Sequence, residues 1–221
     1  MTERSPQRLR ENPGTPLSSG LERAQMQATI LAEIASSSPR PPVAVEIGCG
    51  DGMATAVTAT LCEPTPGTNV TIIGLDWSCA ALDLARRRGV PMVRAVIDGS
   101  GLPLASGSVD VVIMSELIEH LVDTDVALTE AGRVLVPGGS LLLSTPNLAA
   151  WCKRVILALE VQPLFTEVGL RSIYGRPGRE VVGRLRVFTC RALEELLASA
   201  GFVERTPSLS SILLASARWP T

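Results

Sequence analysis

Val43-Ala44-Val45-Glu46-Ile47-Gly48-Cys49-Gly50-Asp51-Gly52 is the stretch on which the fold turns. A short β-branched run stops in glycines at 48, 50 and 52, the pattern of a strand that breaks into a tight turn before a helix. Glycines there let the backbone turn sharply and approach a ligand at the helix N-terminus. The spacing is G-x-G-x-G, whereas the dinucleotide fingerprint is G-x-G-x-x-G. Glu46, at the end of the strand, would repel a pyrophosphate and suits a ligand that is cationic at that point.

The same alternation continues on both sides of this turn. On the N-terminal side, residues 1–18 carry three prolines and several charges and read as a disordered arm. Leu21, Met26, Ile30, Leu31 and Ile34 recur at helical spacing, and the Ser- and Pro-rich run 36–42 ends that helix. On the C-terminal side, a helix is expected over 52–62, a strand over 69–76, a helix over 80–88 and a strand over 92–97. Val109 to Ser115 is a nearly continuous apolar strand of the kind buried on both faces. A helical region over 116–136 is expected to end at Pro137-Gly138-Gly139, followed by a strand over 140–146. After a long insertion at 147–188 come a helix at 190–200 and two terminal strands at 202–206 and 209–217. Strands alternating with helices imply a parallel, doubly wound α/β sheet with right-handed crossovers. The two terminal strands bring it to seven, mostly parallel, with helices on both faces, in a single domain over 19–221.

Composition narrows the class. The 221 residues suit one compact unit, and 20 basic against 22 acidic residues argue against nucleic acid as the dedicated partner. Hydrophobic residues at 46% are ample for a core. Five cysteines, none in C-x-x-C spacing, fit free buried thiols in a reducing cytoplasm and offer no zinc knuckle. The polar N-terminus shows no signal core, and no apolar run approaches the ~20 residues of a membrane span. A soluble, cytoplasmic monomer or homodimer is expected. His120 is the only histidine, so a metal cage built from several imidazoles is excluded within one chain.

The insertion holds four of the seven aromatic residues, Trp151, Phe165, Tyr174 and Phe188. It also holds seven basic residues against three acidic ones, in a chain whose net charge is -2. Inserted after a central strand, it lies where open α/β sheets bind ligands, and it reads either as a substrate lid or as a solvated surface excursion. Asp76, ending the second strand, is placed to accept both hydroxyls of a ribose or else to cap the next helix. Ile97 and Asp98, ending the third, offer a carboxylate and backbone amides to an adenine edge.

Five motifs occur in order: EIGCGDG at 46–52, LD at 75–76, ID at 97–98, DVVIMSELIEHL at 110–121 and RVLVPGGSLLLSTPN at 133–147. With FTCRALEELLASAGF at 188–202, they resemble the class I S-adenosylmethionine-dependent methyltransferases, in particular the group typified by ubiquinone-pathway O-methyltransferases. The resemblance covers residues 43 to about 205 and implies a Rossmann-like fold. It implies that Glu46, Gly48 and Gly50 line the methionine part of the cofactor, with Cys49 a small buried filler in the same loop. Asp76 would hold the ribose, Trp77, Ile97 and Asp98 the adenine, and Ser115 would lie near the sulfonium. S-adenosylhomocysteine would be the product.

For the acceptor side, Glu116, Glu119 and His120 stand at i, i+3 and i+4, which on a helix share one face. E-x-x-E-H resembles the divalent-metal site of some relatives, including small-RNA 2′-O-methyltransferases, where it would bind magnesium or manganese. Those RNA enzymes add a second histidine that this chain lacks. Without a metal, His120 is the expected general base, with Glu119 beside it. Trp151, Tyr174 and Arg186 are the expected substrate contacts. The arginines point to an anionic or nucleotide-linked small-molecule acceptor, methylated most plausibly on a hydroxyl oxygen in secondary metabolism. Two other readings stay open: an RNA-modifying methyltransferase, and a fold relative that binds the cofactor without transferring its methyl.

Overall fold

The computed structural model describes residues 17–62, 69–96, 101–161, 184–209 and 212–221. Seven strands form one sheet: β1 (Val43–Ile47), β2 (Thr71–Asp76), β3 (Met92–Arg94), β4 (Val109–Ser115), β5 (Leu135–Pro146), β6 (Val203–Leu209) and β7 (Ile212–Arg218). Their order is β3-β2-β1-β4-β5-β7-β6. The pairs among β1 to β5 are parallel, and β7 runs antiparallel to both β5 and β6. The order reverses between β1 and β4, so the chain segments leaving their carboxyl ends diverge and open a crevice there.

Strand side chains alternate between two apolar layers. Val45, Ile47, Val112, Met114, Leu141 and Leu143 face α4 (Thr124–Val134) and α6 (Cys190–Ser199). Ala44, Ile72, Val111, Ile113 and Leu142 face α1 (Leu17–Ser37) and α2 (Met53–Cys62). Leu141, Leu142 and Leu143 are all fully buried, as a strand covered on both faces requires. At the far end, Trp219 lies over Gly132, where any Cβ would strike its ring, and stacks edge-on against Phe202 at 5.2 Å.

Several boundaries differ from those read in the sequence. Helix α1 begins at Leu17, inside the span read as an arm. Its buried face is Ala24, Gln27, Ala28, Leu31 and Ala35, while Leu21 and Met26 are exposed. Three alanines on that face let α1 pack closely on α2. Residues 116–136 are not one helix: a single 3-10 turn, Ile118–His120, precedes α4, which starts at the N-cap Asp123. Pro137-Gly138-Gly139 lies within β5 as an irregularity, between the pairs Val109–Leu135 and Val111–Ser140. A Cβ on Gly139 would stand 2.8 Å from the Val136 carbonyl oxygen, so the kink needs glycine. The insertion begins with a helix, α5 (Trp151–Ala158), that was not anticipated. The segment Cys79–Arg87 forms the remaining helix, α3.

Candidate active site

The loop after β1 is folded onto the end of β2. Parallel register sets Glu46 beside Gly74 and Ile47 beside Leu75, and the amides of Gly48 and Cys49 both donate to the Leu75 carbonyl, at 2.7 and 3.1 Å. Gly48 and Gly52 have φ of +73° and +71°, which disfavours any side chain. Each is also pressed from outside: a Cβ would lie 2.7 Å from Leu117 Cδ1 at Gly48 and 2.6 Å from the Ala85 Cβ at Gly52. Gly50 differs, since nothing lies within 4 Å of the Cβ it lacks. Its amide donates to Asp76 Oδ2 at 2.9 Å.

Asp76 is buried, and its Oδ1 accepts from the Ser78 amide at 2.8 Å. Ser78, not Asp76, caps α3, its hydroxyl accepting from the Ala81 amide. That removes the capping explanation for Asp76. Trp77 next to it is half exposed, its carbonyl accepting from Arg94. Ile97 and Asp98 lie outside the described residues. Cys49 is buried against Gly74, and burial, reinforced by the charges of Glu46 and Asp76, pushes its thiol far up. It stays protonated, as suits a filler and not a nucleophile.

Glu46 is 4% exposed, and its Oε2 accepts from the Thr55 hydroxyl at 2.5 Å. Ser115 stands at the end of β4. Burial raises the Glu46 carboxyl above the usual range, and the Thr55 and Ser115 hydroxyls and Arg23 oppose it. Gln27 reaches in from α1, its amide nitrogen donating to Ser115 Oγ at 2.6 Å. The sequence reading missed Gln27. Its signal was a polar residue on the apolar stripe Ala24, Ala28, Leu31.

Beyond β4 the chain turns abruptly at Glu116, which has φ +51° and donates its amide to the Ser144 carbonyl. The Glu116 carboxylate stands 3.5 Å from Arg23 and 3.9 Å from Arg184. Glu119 is fully buried: Oε2 accepts from Thr145 at 3.0 Å, and Oε1 lies 3.5 Å from Arg184 Nε and 4.0 Å from His120 Nε2. Burial raises both carboxyls, and the Glu119 charge adds to the effect on Glu116. His120 itself is part exposed. The structure thus brings Glu116, Glu119 and His120 to one corner, but not on one helical face. Among the described residues no three His, Cys, Asp or Glu side chains are grouped to hold a metal ion. The expected magnesium or manganese triad does not fit, because Glu119 is committed to Thr145 and Arg184 while Glu116 lies outside the helical turn.

The returning end of the insertion is sewn onto this corner. The Leu185 and Arg186 amides donate to the Glu119 carbonyl at 2.8 and 3.1 Å, and the Arg186 guanidinium donates to the carbonyls of Leu121 and Val122. Arg186 therefore anchors the turn. Phe188 belongs to the main core and bridges to Asn147. Trp151 is 79% exposed, at the start of α5, and Tyr174 lies outside the described residues. Lys153 is buried, its ammonium donating to the Asn147 carbonyl at 2.7 Å. A separate groove of about 510 Å³ on α1, lined by Gln25, Thr29, Glu33 and Leu61 among others, includes none of these residues.

What gathers at the crevice is two acidic side chains, a glycine with open space before it, and a histidine. That donor set fits a cationic ligand bearing a ribose diol. Residues 45–143 match the family model described as "Methyltransferase domain". Over that span the chain is similar to methyltransferases. A ubiquinone biosynthesis O-methyltransferase from Chelativorans sp. (strain BNC1) is 27% identical over 165 residues, spanning 73% of this chain and 58% of that protein. The chain spans only 30–58% of the length of the first curated relatives it matches. Among solved structures, a SAM-dependent methyltransferase from Thermotoga maritima aligns with a TM-score of 0.60 at 19% identity, over 91% of this chain and 92% of that one. The cyclase SpnF also aligns, with a TM-score of 0.60 at 16% identity, over 89% of this chain and 82% of that one. These two structures share the fold. Among the described residues, no helix is long and apolar enough to cross a membrane.

Proposed function

We propose that the protein transfers the methyl group of S-adenosylmethionine to a hydroxyl oxygen of a small-molecule acceptor, releasing S-adenosylhomocysteine. The observation that carries this is that buried Glu46 and Asp76 lie near the carboxyl ends of adjacent strands, with nothing within 4 Å of the Cβ that Gly50 lacks in the loop after β1. A fold shared with a cyclase does not by itself argue for methyl transfer; the match of residues 45–143 to a methyltransferase domain does.

When bound, the cofactor supplies an electrophilic methyl on a sulfonium. Glu46 would face its cationic methionyl part, and Asp76 would accept from the ribose hydroxyls while keeping Gly50 in place. His120 would take the proton of the acceptor hydroxyl whose oxygen receives the methyl group. Glu119 sits behind His120 as a positioning residue. The described ends of the insertion, 147–161 and 184–188, frame the acceptor side. Val122, Leu185 and Val187 expose apolar surface beside His120, which favours an acceptor with an apolar body. The oxygen preference is supported by the O-methyltransferase relative, and a biosynthetic tailoring step is the setting it suits.

Incubation with methyl-tritiated S-adenosylmethionine and a panel of phenols, hydroxy acids and amines tests the reading. Label is expected on a hydroxyl acceptor. His120→Ala should lower kcat by about 100-fold or more while leaving cofactor affinity unchanged. Cofactor binding without label transfer to any class of acceptor would favour a non-methylating role, and label on RNA would redirect the acceptor assignment.

A further inference from the structure

Asp51 stands between Gly50 and Gly52 in the loop after β1, and both glycines have positive φ, of +55° and +71°. Glycine backbones are permissive, so the position of the residue between them is set by what holds it from outside. Arg88, the C-cap of α3, holds it at two points. Its Nη1 donates to the Asp51 carbonyl at 2.5 Å, and its Nη2 lies 3.0 Å from Asp51 Oδ2. The other carboxylate oxygen, Oδ1, accepts from the Met53 amide at 3.1 Å, at the start of α2.

The same turn of α3 meets the loop a second time. Arg88 donates its own amide to the Ala85 carbonyl, and the Ala85 Cβ is the atom that leaves no room for a side chain on Gly52. Gly50, on the other side of Asp51, is held by Asp76. We propose that Arg88 is a positioning residue of the cofactor site: by gripping Asp51 through both its backbone and its carboxylate, it fixes the glycine loop in the conformation that the cofactor meets. This rests on the S-adenosylmethionine reading given above.

The gain is preorganisation. Gly48, Gly50 and Gly52 would make this loop costly to order on binding, and a loop already pinned has less freedom left to lose. The Arg88 and Asp51 side chains are both part exposed, so solvent screens their ion pair, and the bond to the Asp51 carbonyl carries a comparable share of the grip.

Calorimetric titration of the full chain with S-adenosylhomocysteine, together with amide hydrogen exchange on the unliganded protein, tests this. Arg88→Met should bind about fivefold more weakly at a temperature far below its melt. The Gly50 and Gly52 amides, bonded to Asp76 and to the Cys49 carbonyl, should exchange about fivefold faster in the same variant. Asp51→Asn, which keeps an oxygen for the Met53 amide, should weaken binding less than Arg88→Met does. In the double variant it should add little, because the ion pair is already gone. An arginine that served stability alone would lower the melting temperature and leave the affinity of the folded protein as it was. Unchanged affinity or unchanged exchange in Arg88→Met, or fully additive losses in the double variant, overturns the role of Arg88. Failure of the wild type to bind overturns the cofactor reading itself and the inference with it.

Discussion

Asp76 Oδ2 accepts the Gly50 amide at 2.9 Å, so the side chain that ends β2 also fixes the loop that ends β1. One carboxylate therefore serves both as a ligand group and as a brace for the glycine turn. Its other oxygen is held by the Ser78 amide at 2.8 Å, which leaves it little freedom to swing away.

Two glycines two residues apart should respond differently to alanine. Gly52→Ala meets a positive φ and the Ala85 Cβ at 2.6 Å, a backbone-borne clash, and should cost about 2–4 kcal/mol of stability. Gly50→Ala meets only the positive φ and should cost about 1 kcal/mol. Its new methyl enters the open space of the crevice, so it should lose cofactor affinity out of proportion to that cost. Thermal melts and calorimetry on both variants separate the two effects; equal behaviour would remove the distinction.

Glu46 should oppose folding. Its carboxyl is raised above the usual value by burial, so the folded state binds its proton more tightly than the unfolded state does. Its favourable contribution is complete below about pH 4.5 and is lost as pH rises through the folded-state value. Glu46→Gln keeps hydrogen-bonding capacity towards Thr55 without the buried charge. The variant should melt higher than the wild type at pH 8, with a smaller gain at pH 5, and should bind S-adenosylmethionine poorly. A lower melting temperature at pH 8 would show that the carboxylate stabilises the fold.

Arg186→Ala should loosen the returning segment. The guanidinium ties down the carbonyls of Leu121 and Val122, and the neighbouring amides bond the Glu119 carbonyl. Amide hydrogen exchange at Leu185 and Arg186 should accelerate by roughly tenfold, the equivalent of losing about 1.4 kcal/mol of local protection. If the residue instead gripped an anionic acceptor, exchange would stay as in the wild type and only the KM for anionic acceptors would rise.

The sheet was legible in the sequence because its inner strands are buried on both faces, and Val109–Ser115 or Leu141–Leu143 can hardly be anything else. The glycine loop and Asp76 were legible because turn chemistry and a strand-end carboxylate are local signals. The corner at Glu116 was not. A glutamate at φ +51° carries no sequence mark, so the residues after it looked like the first turn of a helix. The N-cap Asp123 was the available sign that α4 began later. The anchoring by Arg186 was hidden for a different reason: composition shows that arginines cluster in the insertion, but not which carbonyls one of them meets. Gln27 carries no apolar mark, yet it shares the buried face of α1 with Ala24, Ala28 and Leu31, while Leu21 and Met26 are exposed.

The most direct measurement is a calorimetric titration of the full chain with S-adenosylhomocysteine, run in parallel on the wild type and Asp76→Ala. One-to-one binding by the wild type is expected, weakened by about tenfold or more in the variant through loss of charged hydrogen bonds to the ribose and to Gly50. A wild type that does not bind, or a variant that binds equally well, would contradict the site described at the ends of β1 and β2.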